Sequence, residues 1–333
     1  VNDLGFQRDA DRREAELRVE YQENRPGEVF RRWEASVEPR GSWNFNGDRL
    51  DTSLSLRANL TFLNYWSSRL SYRRTFRSMD DRLTRGGPLA RKPAGHQVSF
   101  NQTTDFSKPY TAWVNLRHEW DAAGGSESSF SASLGIKPSG QWELSLGPRL
   151  SLRNAAAQYV DDQDDPEATE TFGTRYVFAD MEQTTLSMET RLNVTFTPDL
   201  TLELFAQPFM ASGDYGTLKE LVSPGTFDFF RYGVEGGEVA LDEEVDAVVD
   251  PDGPGPAASF SVSNKDFNRV SLRGTSVLRW EWRPGSTLYL VWQQSRSRSE
   301  DFGDFDLSRD VDALLAGDAH NVFMLKATYW FGS

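Results

Sequence analysis

The sequence predicts an all-β fold: a transmembrane antiparallel up-and-down β-barrel of about 14 strands or more, of the outer-membrane type, with short periplasmic turns and long extracellular loops. Three observations carry this. Side-chain character alternates with period two along nearly the whole chain. The connections between the alternating segments are short at one end and long at the other. Aromatic residues sit on the apolar parity beside the short turns.

The alternation is clearest over Thr184–Phe196. Leu186, Met188, Leu192, Val194 and Phe196 share one parity, and Ser187, Glu189, Arg191, Asn193 and Thr195 share the other. A strand sends these sets to opposite faces. The pattern restarts after Thr197-Pro198-Asp199 with Leu200, Leu202 and Leu204, and again on either side of Arg283-Pro284-Gly285-Ser286. Thirteen such segments are predicted, at roughly 12–23, 28–46, 49–62, 67–77, 96–106, 110–121, 126–136, 141–154, 174–197, 199–212, 268–283, 286–298 and 320–331. Crossing a bilayer takes about 9–11 tilted strand residues, so the longer segments are expected to project beyond it. The long connections are 78–95, 155–173, 213–267 and 299–319, the third being the longest extracellular loop. Thirteen is odd, and the first and last strands run the same way. Closure therefore needs a further strand, from residues 1–11 or from sequence upstream of Val1; a pair hidden within 213–267 leaves the count odd, and a miscount of short strands is the remaining alternative. With no signal peptide at Val1, upstream sequence is the favoured source, which makes residues 1–333 one barrel within a longer chain.

Bulk composition neither contradicts nor announces this fold. Hydrophobic residues are 38% and mean hydropathy is −0.58. No run of 18 apolar residues offers a transmembrane helix. A barrel strand is only half apolar, so averaging conceals it. The absence of Cys removes disulfide and thiolate chemistry, and the net charge of −14 argues against nucleic acid as a partner. No phosphate loop, dinucleotide fingerprint, zinc spacing or nucleophile elbow is present.

The rival fold is a large soluble β protein. Against it stand Trp66, Tyr110, Trp142, Phe196, Trp282 and Tyr329, which lie on the apolar parity next to short turns, where a headgroup girdle belongs. A second set, Trp43, Phe45, Phe76, Trp120 and Tyr176, lies toward the other end. The opposite parity carries Arg57, Arg73, Arg117, Glu119, Glu143 and Arg149, and further along Glu189, Arg191, Glu203, Arg273, Arg279 and Glu281. These are expected to line a polar lumen in mixed-sign pairs. The chain ends on alternating Phe323, Leu325, Ala327, Tyr329 and Phe331, a finish that suits the barrel assembly machinery.

Asn2-Asp3-Leu4-Gly5-Phe6, Ser42-Trp43-Asn44-Phe45-Asn46-Gly47, Phe196-Thr197-Pro198-Asp199-Leu200 and Ser271-Leu272-Arg273-Gly274 resemble the C-terminal barrel region of the domain-of-unknown-function family DUF5916. The most specific stretch is Leu278-Arg279-Trp280-Glu281-Trp282-Arg283-Pro284-Gly285-Ser286. The resemblance covers nearly the whole chain. It implies an N-terminal carbohydrate-binding, family-9-like sandwich ahead of the barrel, and it brings no catalytic motif.

The leading functional expectation is a non-enzymatic outer-membrane barrel. It would pass small polar solutes in a porin-like way, or anchor a carbohydrate-binding domain. Its partners would be outer-membrane lipid, the assembly machinery, and carbohydrate or a surface protein. An enzyme would need His96 or His320 at the rim beside a carboxylate or a serine. A structural subunit would use the loops to hold neighbouring proteins. His118 shares the lipid-facing parity and reads as interfacial. No cofactor is expected. Asp250 and Asp252, in the acidic stretch that begins at Asp242-Glu243-Glu244, are weak Ca²⁺ candidates, because the spacing of an EF-hand is missing. Asp161–Asp165 reads as an exposed acidic loop. Phe227, Phe229, Phe230 and Tyr232 would stack on a sugar, plug the lumen, or make a local apolar cluster.

Overall fold

A computed structural model describes residues 11–242 and 246–331. Twenty strands and one α-helix are found. In chain order the first ten strands are β1 Arg13–Glu16, β2 Val19–Glu23, β3 Phe30–Trp43, β4 Arg49–Phe62, β5 Ser67–Thr75, β6 Ser78–Asp80, β7 Ala90–Lys92, β8 Gly95–Thr103, β9 Tyr110–Asp121 and β10 Ser126–Ser139. The rest are β11 Trp142–Asp164, β12 Thr174–Thr197, β13 Leu200–Leu221, β14 Phe229–Arg231, β15 Glu238–Asp242, β16 Asp246–Asp250, β17 Phe260–Val262, β18 Phe267–Arg283, β19 Ser286–Glu300 and β20 His320–Thr328. Helix α1, Leu307–Ala316, precedes β20. No helix among the described residues is long and apolar enough to cross a membrane.

The principal sheet is an antiparallel meander in the order β1-β3-β4-β5-β8-β9-β10-β11-β12-β13-β18-β19-β20. β1 and β2 are two parts of one edge strand. Both pair with β3, β1 against Arg40–Trp43 and β2 against Trp33–Val37. The path thus has thirteen positions, at the places the alternation predicts. The expected closure into a barrel is not among the described pairings: β1 and β2 form one edge and β20 the other. The two edges run in the same direction, so antiparallel closure takes one more strand. Segment 213–267 does not provide it, since β14 adds to the side of β13 and β15–β17 form their own small sheet. Residues 1–10 lie outside the described residues.

Two strands are longer than predicted. β11 continues to Asp164 and β13 to Leu221, so the loops expected at 155–173 and 213–267 are shorter. The reason is register. Ala155-Ala156-Ala157 breaks the alternation, but the ladder with β12 absorbs the extra residues at bulges between Ala155 and Gln158 and between Tyr159 and Asp161. Gly213-Asp214-Tyr215-Gly216 has turn chemistry in sequence, yet it stays paired because β12 offers a partner edge. Local composition cannot reveal that edge.

Two turns show how the meander reverses. Gly47 takes a φ of 93°, open to glycine and strained for other residues, while Asn44 Oδ1 accepts from the Asp48 amide at 2.7 Å. In the β18–β19 hairpin Gly285 has a φ of 77°, and a Cβ there would lie 2.9 Å from Trp330 Cβ. Arg283 caps this close approach. Its guanidinium lies 4.0 Å from the Tyr329 ring centre and donates to the Trp330 carbonyl at 2.8 Å. The Arg-Pro-Gly-Ser turn thereby clamps the aromatic end of the chain.

Candidate functional site

The meander has two unlike faces. Following one pairing row across the sheet gives Ala58, Leu70, Phe100, Leu116, Phe130, Leu150, Leu186 and Met210. The next row gives Ser36, Arg57, Ser71, Ser99, Arg117, Ser129, Ser151 and Thr185. These two adjacent rows therefore separate apolar from polar, as period-two strands in register do.

On the apolar face large side chains stand bare. Leu70 is 53% exposed, Leu116 46%, Leu290 46% and Leu325 68%. The predicted girdle residues Trp66, Tyr110, Trp142, Trp282 and Tyr329 are all exposed at the short-turn ends. Isolated exposed leucines are ordinary, but a contiguous apolar face of this extent marks a surface that meets something other than water.

The polar face is laced with ion pairs. Arg57 meets Glu38 at 2.5 Å, Arg73 meets Asp51 at 3.0 Å, and Arg117 pairs with Glu119. Glu143 holds Lys137 at 3.2 Å, Glu189 holds Arg191 at 2.8 Å, and Glu281 holds Arg279 at 2.8 Å. Three of these six pairs, Arg117–Glu119, Arg191–Glu189 and Arg279–Glu281, lie within one strand at i and i+2, the spacing that puts both partners on one face. Arg149, Glu203 and Arg273 share this face but have no ion-pair partner among the described residues. Sequence reading missed the cluster at the first edge, where Arg18 meets Glu20 at 2.5 Å, Glu34 at 2.9 Å and Glu38 at 3.1 Å. Arg18 sits in the break between β1 and β2. Its distant partners follow only from the β2–β3 register.

At the loop-side end of the polar face lies a cavity of about 430 Å³. Arg73, Arg117 and Arg153 face Glu119 and Glu127 within it, and Phe227 contributes from the long loop. Of the aromatic run, only Phe227 lines this space. Phe229 packs on Phe178 at a centroid distance of 5.2 Å, and Phe230 and Tyr232 join Val177, Ala179, Val249 and Val262. The aromatics thus make a local apolar cluster in the main.

The hairpin β6–β7 reaches past β9 and β10 to this same region. Leu83 and Ala90 pack on Phe178, and Arg85 lies 4.4 Å from the Tyr159 ring centre. The Gly225 amide donates to Leu89 O at 2.7 Å, and the Arg91 amide to Thr226 O at 2.8 Å. Beside this junction Arg175 is buried between two carboxylates, with Nε donating to Asp165 at 2.6 Å and Nη1 to Glu220 at 2.7 Å. Burial pushes the Asp165 carboxyl up, but hydrogen bonds from Arg175 and from the Glu167 amide outweigh it and hold the carboxyl below its ordinary value. Burial pushes the Tyr232 hydroxyl up. Asp165, expected in an exposed loop, is instead a buried anchor.

The remaining candidates scatter. His96 and His118 both stack on Trp120, at 5.0 and 5.2 Å, on the apolar parity, whereas His320 starts β20 far along the sheet order. They do not converge. Asp250 Oδ1 accepts from the Gly253 amide at 2.9 Å and Asp252 Oδ2 from the Ala257 amide at 3.1 Å, so both carboxylates cap turns. Glu243 and Glu244 lie outside the described residues. No group of three metal-ligating side chains occurs among the described residues.

These features define an all-β protein built on a large antiparallel meander, bare and apolar on one face and ion-paired on the other. Its sequence matches a family described as a domain of unknown function over residues 1–332, and the chain belongs to that family, DUF5916. No curated protein matches it. Among solved structures it is similar to the crystal structure of the siderophore receptor PiuA from Acinetobacter baumannii, at 10% identity and a TM-score of 0.46. That likeness covers 91% of this chain and 46% of the receptor, so the chain spans about half the receptor's length.

Proposed function

We propose that this chain is a non-enzymatic outer-membrane β-barrel whose ion-paired face encloses a wet lumen for small polar solutes. The observation that carries the reading is the bare apolar face, which extends from Val37 and Leu56 through Leu70 and Leu116 to Leu290 and Leu325. In water such a face would be covered; against hydrocarbon it needs no cover. Every backbone group inside a bilayer must be paired, which is the physical demand for one further strand between the edges. Of the three predicted lining charges without an ion-pair partner among the described residues, Arg149 and Arg273 outnumber Glu203 and favour anionic solutes, by the logic of charged pore linings.

The test is conductance of the refolded chain in a planar bilayer. Steps with anion preference support solute passage. A second reading, a membrane anchor for a carbohydrate-binding domain, draws on the loop junction at Leu89, Gly225 and Phe227, which narrows the loop-side mouth. A chain that inserts but stays electrically silent favours the anchor. A chain that stays soluble and monomeric without detergent or lipid ends both readings.

A further inference from the structure

One group of residues on the apolar face is out of keeping with its neighbours. Arg74 on β5 is paired in register with His96 on β8, and His96 with Trp120 on β9. All three share the parity of Leu70, Val98 and Leu116. The Arg74 guanidinium contacts His96 Nε2, and His96 Nδ1 lies 2.8 Å from Tyr72 Oη. Guanidinium only donates, so Nε2 is the acceptor. On the other side of Trp120 sits His118, with Nδ1 2.8 Å from Ser128 Oγ.

Arg74 has no carboxylate within ion-pair distance among the described residues. The contrast with other arginines is specific. On the polar face Arg57, Arg73, Arg117, Arg191 and Arg279 each hold an acid. Elsewhere on the apolar parity, Arg298 holds Glu300 at 2.5 Å and Arg296 is bonded to the carbonyl oxygens of Leu315 and Gly317. Of this set, only Arg74 stands on an outward face with an imidazole and no acid or carbonyl beside it. Strand β5 ends one residue later, at Thr75. That puts the charge at the rim of the apolar band, where an outward arginine is far less costly than at the midplane. Tyr72 and Trp120 are the ring types that settle at headgroup depth.

An outward, uncompensated guanidinium at that depth calls for an anion, and its planar fork matches phosphate oxygens. We propose that Arg74, with His96, Tyr72 and Trp120 beside it, binds the phosphate monoester of an anionic lipid headgroup in the loop-side leaflet. This rests on the membrane-barrel reading. Phosphate oxygens accept from Arg74, and the aromatic rings lie against the sugar or glycerol beneath the headgroup.

The experiment uses the full 333-residue chain, refolded into phosphatidylcholine vesicles that contain either lipid A with both phosphates or the same lipid dephosphorylated. Retained lipid is then counted by native mass spectrometry after gentle detergent release. The phosphorylated lipid is expected to be retained roughly tenfold better, and R74Q to abolish that preference, while R298Q leaves it intact. R74K, which keeps the charge without the fork, is expected to retain part of it. Equal retention of both lipids, or a preference that survives R74Q, overturns the site. Displacement by millimolar inorganic phosphate overturns the lipid assignment, because the site would then take free phosphate. Protease protection of the inserted strands is read on the same samples. Unprotected wild-type strands overturn the membrane reading itself, whereas protected strands with no lipid preference overturn only this site.

Discussion

The two ends of β12 live in opposite environments. Toward the short turns, Met188 and Phe196 point their apolar parity away from the protein and remain exposed. Toward the loops, Val177, Phe178 and Ala179 of the same β12 strand are fully buried under β14, the β15–β17 sheet and the β6–β7 hairpin. Helix α1 marks the transition, laying Val311 and Leu314 over Leu186, Met210, Val270 and Leu272. The chain therefore covers its apolar strand residues at one end and leaves them bare at the other. The proposed membrane setting accounts for this difference by placing hydrocarbon around the bare half.

The largest effect belongs to the covered end. Phe178→Ala is expected to cost about 3–5 kcal/mol of loop-side stability, because a fully buried ring leaves a cavity among Leu83, Tyr159 and Phe229. Hydrogen exchange should rise over residues 83–92 and 222–231 and stay unchanged near the short turns. Next comes the bare end. Leu192→Arg puts a charge at mid-strand on the apolar parity and should cost about 2–4 kcal/mol of insertion, whereas Asn193→Arg, one residue away on the polar face, is tolerated. Folding into vesicles, followed by heat-modified gel mobility, reads both. Equal behaviour of the two variants would break the comparison.

A smaller effect is tied to pH. The folded Asp165 carboxyl lies below its ordinary 3.8, so its contribution is complete above that value and drains as pH falls through the lower folded value. Acid melts should lose loop-side stability below about pH 4, and Asp165→Asn should flatten that dependence. Smaller still is Arg191→Ala. Its pair with Glu189 is exposed, and about 0–1 kcal/mol is expected in denaturant titration. Arg149→Glu should leave folding intact and move ion selectivity toward cations in bilayer recordings.

Thirteen strand positions were legible because period two is a local property, and each strand carries it in its own residues. The polar set was legible for the same reason, and so were the i, i+2 pairs such as Arg117–Glu119. Arg18 with Glu38 was not, since its partners are fixed by pairing register between strands. The upper halves of β11 and β13 were hidden by alanine and glycine runs that lack alternation and are held by a neighbour's edge. Arg74 illustrates the middle case: its parity is plain in the sequence, but the absence of an acid near it is a fact of three strands brought together.

The sequence by itself determined the all-β class, the two-faced strands and the order in which they follow one another, because a strand's faces are set by its own covalent alternation. Tertiary structure alone decided which charges meet across strands, which loops meet over β12, and which arginine of the apolar parity has an imidazole and no acid beside it among the described residues. Those outcomes depend on distances between residues far apart in the chain, and only pairing register and loop packing fix such distances.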